Sequence, residues 1–155
     1  MVTIYTDGSS RGNPGPGGFG TVLLSGNHRK EISGGYRKTT NNRMELLAVI
    51  AGLEALKKTN TEVLIYSDSK YVVDSVEKGW LWGWVKKGFK GKQNADLWKR
   101  FIPVYKLQKV KFKWVKGHAG IPENERCDQL AVEAATQPNL PPDIEYEANG
   151  LRTDR

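Results

Sequence analysis

The sequence predicts a domain of mixed α/β (α+β) class, in which helices pack on both faces of a mixed sheet. Two observations support this prediction. The predicted elements follow the order β-β-β-α-β-α-α-α-β-α, and the second and third strands form an antiparallel hairpin, which makes the sheet mixed. The chain has 155 residues, of which 38% are hydrophobic, so it suits one domain with its own core and is too apolar for wholesale disorder.

Three strands and the clearest helix are predicted in the first half of the chain. Alternating β-rich residues indicate the strands, and turn-forming residues indicate a glycine-rich loop between the first two. Apolar residues at helical spacing indicate the helix, and Asn42 followed by Glu45 resembles a capping box near its start. The predicted strands are 2–7, 19–24 and 29–36, the loop is 8–18, and the helix is 39–58.

Two further strands alternate with helices in the second half. We expect Pro103 to kink or end the helix that contains it, and Pro122 to occupy the first position of the last helix. The predicted strands are 62–67 and 110–116, and the helices are 68 onward, 79–87 (a short helix or turn), 95–107 and 122–135, with a flexible basic loop at 88–94. Residues 1–136 are therefore the predicted domain, and 137–155 an irregular tail.

The positive charge is concentrated in one stretch. Lysine and arginine number 24 against 17 acids, a net charge of +7, yet residues 78–116 alone hold 12 basic side chains and only one acid, Asp96. The same stretch contains all five tryptophans. Basic side chains interleaved with flat rings favour a polyanionic partner such as a nucleic acid, with a solvated lysine-rich face as the alternative.

Several other functional classes are excluded by the sequence. The glycines at 15, 17 and 20 match a dinucleotide-binding pattern, but they lead into a strand and not into the helix that such a site requires. Cys127, the only cysteine, is expected to be a small core residue, and His28 an exposed turn residue. No apolar run approaches the roughly 20 residues that span a bilayer. We therefore expect a cytoplasmic protein without a membrane partner.

Four acids are the candidate chemical groups. Each has an ordinary structural explanation, as a turn former (Asp7), a capping-box partner (Glu45), an N-cap (Asp68) or a helical surface acid (Asp128). Taken together, however, Asp7 and Asp68 follow apolar strands at the same expected edge of the sheet. Glu45 and Asp128 lie near the helix faces that pack on that sheet. We therefore expect all four to converge.

Convergence of four carboxylates requires either protons or cations. Two carboxylates about 4 Å apart repel by about 4 kcal/mol at an effective dielectric constant near 20. Oxygen ligands without histidine or cysteine favour Mg²⁺, or Mn²⁺ in its place, over zinc. A pair of such ions is a known means of in-line phosphodiester cleavage. The basic, tryptophan-rich stretch would then hold the polyanionic substrate.

Five motifs, in order over roughly residues 1–135, resemble type 1 ribonuclease H. They are YTDGS at 5–9, GNPGPGG at 12–18, TTNNRMEL at 39–46, YSDS at 66–69, and WVKGH at 114–118 continuing to NERCD at 124–128. The resemblance implies a five-stranded sheet and endonucleolytic hydrolysis of the RNA strand of RNA–DNA hybrids, leaving 5′-phosphate and 3′-hydroxyl ends. It also implies that two metal ions act with substrate bound, and that the metal-binding catalytic residues are Asp7, Glu45, Asp68 and Asp128.

The resemblance assigns roles to further residues. His118, in a glycine-flanked loop, is implied to act in proton transfer or product release. Substrate contacts are implied for three groups: Asn13 and Asn42 on the RNA strand, Thr40 and Asn41 on a DNA phosphate, and the basic protrusion with Trp80, Trp82, Trp84, Lys86, Lys87 and Lys90. We expect at least one of those tryptophans to be a core residue. Lys70 stands where several bacterial relatives have glutamine, and it is expected to contact the RNA phosphate or alter metal affinity. The basic loop is also shorter than in the long-handled bacterial members, which leaves hybrid affinity open.

Three alternatives remain open at this stage. A transposase, integrase or junction resolvase shares the fold and would cut DNA. A retroviral-type ribonuclease H domain would normally be part of a larger protein, whereas we expect a free-standing monomer here. A non-catalytic hybrid-binding module would require a geometric defect among the four carboxylates, and the sequence indicates none.

Overall fold

The computed structural model describes residues 1–117 and 120–150. The predicted order of elements is confirmed, and their bounds are as follows. The strands are β1 (Val2–Ser10), β2 (Gly15–Ser25), β3 (His28–Thr39), β4 (Glu62–Ser67) and β5 (Lys109–Trp114). The helices are α1 (Asn41–Glu54), α2 (Lys70–Glu77), α3 (Trp80–Lys86), α4 (Ala95–Lys106) and α5 (Pro122–Ala135), followed by a π-helical turn (Tyr146–Gly150).

The five strands form one mixed sheet in the order β3-β2-β1-β4-β5. Strands β1, β2 and β3 are antiparallel neighbours, whereas β4 runs parallel to β1 and β5 runs parallel to β4. Helices α1, α2 and α4 share a core with one face of the sheet, and Cys127 and Leu130 of α5 pack against Val22 on the other. The mixed sheet with helices on both faces is therefore confirmed.

Helix α1 is the centre of the larger core. Every residue from Arg43 to Ile50 is buried, because the sheet lies on one side of this helix and α4 on the other. Trp98 and Phe101 of α4 are fully buried and meet edge to face at 5.4 Å between ring centroids. The basic segment therefore contributes to the core as well as to the surface.

The predicted glycine loop at residues 8–18 is wrong, because most of it belongs to strands β1 and β2. The glycines are there for close packing between the sheet and its helices. A Cβ atom on Gly8 would lie 2.3 Å from the backbone nitrogen of Glu45 in α1. On the other face, a Cβ on Gly18 or Gly20 would lie 2.3 Å from a backbone carbonyl oxygen of α5. Only residues 11–14 remain between the two strands.

Several predicted boundaries are also corrected. The N-cap of α1 is Thr40, whose hydroxyl accepts a hydrogen bond from Arg43 N at 3.2 Å, so the capping box of Asn42 and Glu45 is wrong. Ser69, and not Asp68, caps α2. Helix α1 ends at Glu54 and not at residue 58. Helix α4 continues past Pro103 to Lys106. The capping hydroxyls leave both acids available for other contacts.

The segment after α5 packs against the domain and ends in the π-helical turn. The buried Arg43 guanidinium donates to Asp143 at 2.7 Å and to Asp96 at 2.8 Å. Thr39 Oγ1 also donates to Asp143, at 2.7 Å. These contacts join the start of α1, the start of α4 and the tail, which the sequence predicted only as irregular.

Candidate active site and nucleic-acid interface

Three carboxylates meet at one edge of the sheet. Tyr5 of β1 pairs with Tyr66 of the parallel strand β4, so two residues later Asp7, within β1, and Asp68, directly after β4, lie side by side. Glu45 reaches them because Gly8 lets the first turns of α1 lie directly on β1. Each of the three side chains offers an oxygen, and these oxygens all lie within 4.8 Å of one another.

Asp128 faces the same site from the opposite side. It lies on α5 and lines a small cleft together with Asp7 and Asp68, although it does not belong to the group within 4.8 Å. Its charge also contributes to raising the pKa of Asp7. The four acids singled out in the sequence are thus brought to one place.

The surroundings of the carboxylate cluster oppose ionisation of Asp7 and Glu45. Burial, followed by repulsion from Asp68, raises the pKa of Asp7 to about 7. Glu45 is only 4% exposed, and burial together with repulsion from Asp7 and Asp68 holds its pKa well above the usual value. Without a cation, the site therefore retains protons that ordinary carboxylates would lose.

The two carboxylate oxygens of Glu45 differ in their hydrogen bonding. Oε1 accepts a hydrogen bond from Gly8 N at 3.0 Å. Oε2 is buried and accepts no hydrogen bond within residues 1–117 and 120–150. A buried carboxylate oxygen without a donor is costly, and an all-oxygen set of carboxylates matches the ligands preferred by hard divalent cations. The residues present therefore fit a metal site.

Sequence reasoning assigned no role to four residues that line the same cleft, of which Asn124 and Gly117 bear on the carboxylates. Asn124 lies one helical turn before Asp128, and its Oδ1 is buried without a hydrogen-bond partner among the described residues. A Cβ at Gly117 would lie 3.0 Å from Asp68 Oδ2, so a glycine leaves that carboxylate its space. The spacing of four between Asn124 and Asp128 was the available sequence signal, since it places both on one helix face.

His118 lies outside the described residues, so its role stays a prediction.

Lys70 is linked to the carboxylate cluster by Trp114, which contacts both Lys70 and the backbone of Asp68. Its ammonium nitrogen lies 4.8 Å from the centroid of the Trp114 ring. The indole nitrogen of Trp114 donates to the backbone oxygen of Asp68 at 3.1 Å.

The polar residues predicted to bind the substrate strands gather at the start of α1. The side-chain oxygen of Asn13 accepts a hydrogen bond from Asn41 N at 3.1 Å, which ties the β1–β2 loop to this helix end. Asn41 and Asn42 are exposed, while the hydroxyl of Thr40 is engaged as the N-cap. Backbone N–H groups at a helix start can hold a phosphate.

The basic protrusion divides into supporting and exposed side chains. Trp82 packs on Tyr105 and Trp84 on Trp98, with ring centroids 6.0 and 5.9 Å apart. Both are partly buried against the core, as expected for at least one of the three tryptophans. Trp80 is 49% exposed. Lys86, Lys87 and Lys90 are exposed, so the charge of the protrusion faces solvent.

Comparison with known proteins gives consistent results. The RNase H family model matches residues 1–136. Ribonuclease H of Desulforamulus reducens is 58% identical over 148 residues, covering 92% of each chain. Ribonuclease H of Rippkaea orientalis is 54% identical over 157 residues, covering 98% of this chain and 96% of its own.

Solved structures show the same likeness in three dimensions. LC9-RNase H1, described as a type 1 RNase H with the type 2 active-site motif, superposes with a TM-score of 0.77 at 33% identity, over 99% of this chain and 82% of its own. LC11-RNase H1 in complex with an RNA/DNA hybrid gives a TM-score of 0.59 at 28% identity, over 87% of this chain and 96% of its own.

Within the described residues, no helix has the length and apolar character needed to cross a bilayer.

Proposed function

Because the chain belongs to the RNase H family, we propose that it hydrolyses the RNA strand of RNA–DNA hybrids at the carboxylates Asp7, Glu45, Asp68 and Asp128. The observation that carries this proposal is the cluster itself. Three of these side chains bring oxygens within 4.8 Å of one another, and one oxygen of Glu45 is buried without a donor. The products would be a 5′-phosphate and a 3′-hydroxyl.

The proposed cofactor is Mg²⁺, with Mn²⁺ as a substitute and two ions when substrate is bound. When bound, such ions activate a water molecule and stabilise the leaving oxygen of a phosphodiester. The chain's own contribution is to fix four carboxylates, which lie in β1, directly after β4, in α1 and in α5. Gly8 N holds Glu45 Oε1 in place at 3.0 Å. The elevated pKa of Asp7 and Glu45 makes a divalent cation the natural replacement for the retained protons.

Substrate recognition is proposed to follow the polar and basic groups around the carboxylates. Asn13 and Asn42 would contact the RNA strand, whose 2′-hydroxyls distinguish it from DNA. Thr40 and Asn41 would hold a phosphate of the DNA strand. In the protrusion, Trp80, Lys86, Lys87 and Lys90 would contact that strand further along, and Trp82 and Trp84 would contribute mainly by supporting them.

Two further residues are proposed to assist. His118 would act in proton transfer or product release, since the pKa range of imidazole suits that work. Lys70, held against Trp114, would contact an RNA phosphate beside the site. We also propose a cytoplasmic monomer, because all four carboxylates come from one chain and the single cysteine, Cys127, is buried.

The test uses three end-labelled substrates of the same sequence: an RNA–DNA hybrid, an RNA duplex and a DNA duplex, each with Mg²⁺ and with EDTA. We expect cleavage of the RNA strand of the hybrid in Mg²⁺ only. Cleavage of the DNA duplex would favour a transposase-like activity and contradict the proposal. Tight binding of the hybrid without any cleavage in Mg²⁺ or Mn²⁺ would indicate a binding module.

A further inference from the structure

The lysines of the basic segment lie on two different faces of the sheet. The protrusion and α4 lie on the α1 side, where Lys92 contacts the ring of Trp84 and Lys106 that of Trp82. Lys109, Lys111 and Lys113 alternate along β5 and pair with Glu62, Leu64 and Tyr66 of β4. Alternate residues of a strand share one face, so these three form a row, named here the β5 lysine row.

The β5 lysine row lies on the α5 side of the sheet. Lys113 Nζ is 5.8 Å from the centroid of the Tyr66 ring, and that ring stacks on Tyr5 at 4.8 Å. Tyr5 packs against the cluster that contains Cys127 of α5. The row therefore faces away from the protrusion, and one duplex lying on the protrusion does not cover it.

The row leads towards the carboxylates. Lys113 pairs with Tyr66, which is two residues before Asp68. Successive lysines of the row are about 6.6 Å apart along the strand. All three lysines are exposed, and no carboxylate among the described residues forms an ion pair with them. Two acids are nearby: Glu62 lies opposite Lys109 on β4, and the charge of Glu123 contributes to raising the pKa of Tyr5. The row is a line of positive charge that ends at the proposed site.

We propose that the β5 lysine row binds the phosphates of a single-stranded flank that leaves the hybrid at the active site. The inference rests on the proposed function. A stiff duplex that crosses the carboxylate edge cannot also turn down the sheet face, whereas a single strand can. Because the faces of the Tyr66 ring are covered by Tyr5 and Lys113, the row supplies charge and not base stacking. It therefore accepts an RNA or a DNA flank without base preference.

The experiment compares a blunt hybrid with hybrids that carry a single-stranded RNA or DNA overhang at either end. Binding is measured by fluorescence anisotropy in EDTA over a range of salt concentrations, and cleavage in Mg²⁺. We expect one overhang polarity to bind about five-fold tighter than the blunt hybrid. Two lysine–phosphate contacts should also steepen the log–log salt dependence by about 1.4.

The variant K111Q/K113Q should remove this gain and leave binding and cleavage of the blunt hybrid unchanged. The control K30Q/K57Q, which removes two exposed lysines outside the row, should retain the gain. No gain from any overhang, or equal loss for blunt and overhung hybrids in K111Q/K113Q, would overturn the β5 row proposal while hybrid cleavage stands. Failure of the wild-type protein to cleave the blunt hybrid would overturn the proposed function and this inference with it.

Discussion

At the scale of single residues, the candidate site shows a conflict between stability and chemistry. Glu45 is almost fully buried among other acids, and one of its oxygens has no donor within the described residues. Such a group destabilises a metal-free fold, because burial and like charges both oppose ionisation. The arrangement is explained if its purpose is to bind cations.

The first prediction concerns Asp7→Asn, which should abolish cleavage in Mg²⁺ while hybrid binding persists. The pKa of Asp7 is raised to about 7 in the fold, so the folded state holds this proton more tightly than the unfolded chain. Metal-free wild-type protein therefore loses stability as pH rises from about 4 to about 7. At pH 8 in EDTA, the variant should be more stable than wild type by roughly 1–3 kcal/mol.

The measurement is urea unfolding in EDTA at pH 5 and pH 8, where the advantage of Asp7→Asn should grow with pH. Asp74→Asn is a suitable control, since Asp74 pairs with Lys78 on the surface and lies outside the cluster. Its effect should stay within about 0.5 kcal/mol at both pH values. A variant at position 7 that is less stable than wild type at pH 8 would contradict the electrostatic account.

At the scale of elements, glycines decide how closely helices approach the sheet. Gly8 brings α1 and Glu45 to β1, while Gly18 and Gly20 bring α5 and Asp128 to β2. The distances between the carboxylates therefore depend on the absence of three side chains.

The second prediction compares two glycine-to-alanine changes. In Gly20→Ala, the new Cβ would lie 2.3 Å from Cys127 O, so α5 must move and carry Asp128 with it. We expect a loss of about 2 kcal/mol in the free energy of unfolding and a reduced kcat. In Gly83→Ala, nothing lies within 4 Å of the new Cβ, and this exposed position of α3 should gain about 0.5–1 kcal/mol. Equal stability of the two variants in urea unfolding would refute the packing argument.

The glycines also mark the limit of prediction from sequence at this scale. Periodicity predicted the order of elements and the bounds of α5, because apolar spacing follows the local geometry of a helix or strand. Turn propensity predicts a loop from Gly8 to Gly18, because propensity alone does not reveal a helix packed directly above a strand. Asp7, Glu45, Asp68 and Asp128 could be proposed from strand ends and helix faces. The burial of Asn124 Oδ1 could not, because it depends on tertiary contacts.

At the scale of the whole molecule, the basic segment that is continuous in sequence is divided in space. Its aromatic residues largely join the core around Trp98, and its lysines are distributed to both faces of the sheet. The net charge of a sequence segment therefore predicts a polyanionic partner but not a single binding surface.

The third prediction concerns the protrusion. The variant K86Q/K87Q/K90Q should raise KM for the hybrid with little change in kcat, because these lysines belong neither to the carboxylate cluster nor to the cleft beside it. Each lost phosphate contact should lower the log–log salt slope of binding by about 0.7–0.9. The charge-matched control K30Q/K57Q/K58Q should leave the slope in place. An unchanged slope in the first variant would place the substrate path elsewhere.

The contact between Arg43 and Asp143 has a consequence for how the protein is made. The two residues are 100 positions apart, and Arg43 sits in the same first turns of α1 as Glu45. During translation, the Arg43 guanidinium can meet its first acid once Asp96 has been made, and it gains its second only after residue 143 has been synthesised. A nascent chain that stops short of residue 143 would bury an incompletely neutralised cation two residues from Glu45, so the start of α1 depends for its stability on a segment made 100 residues later.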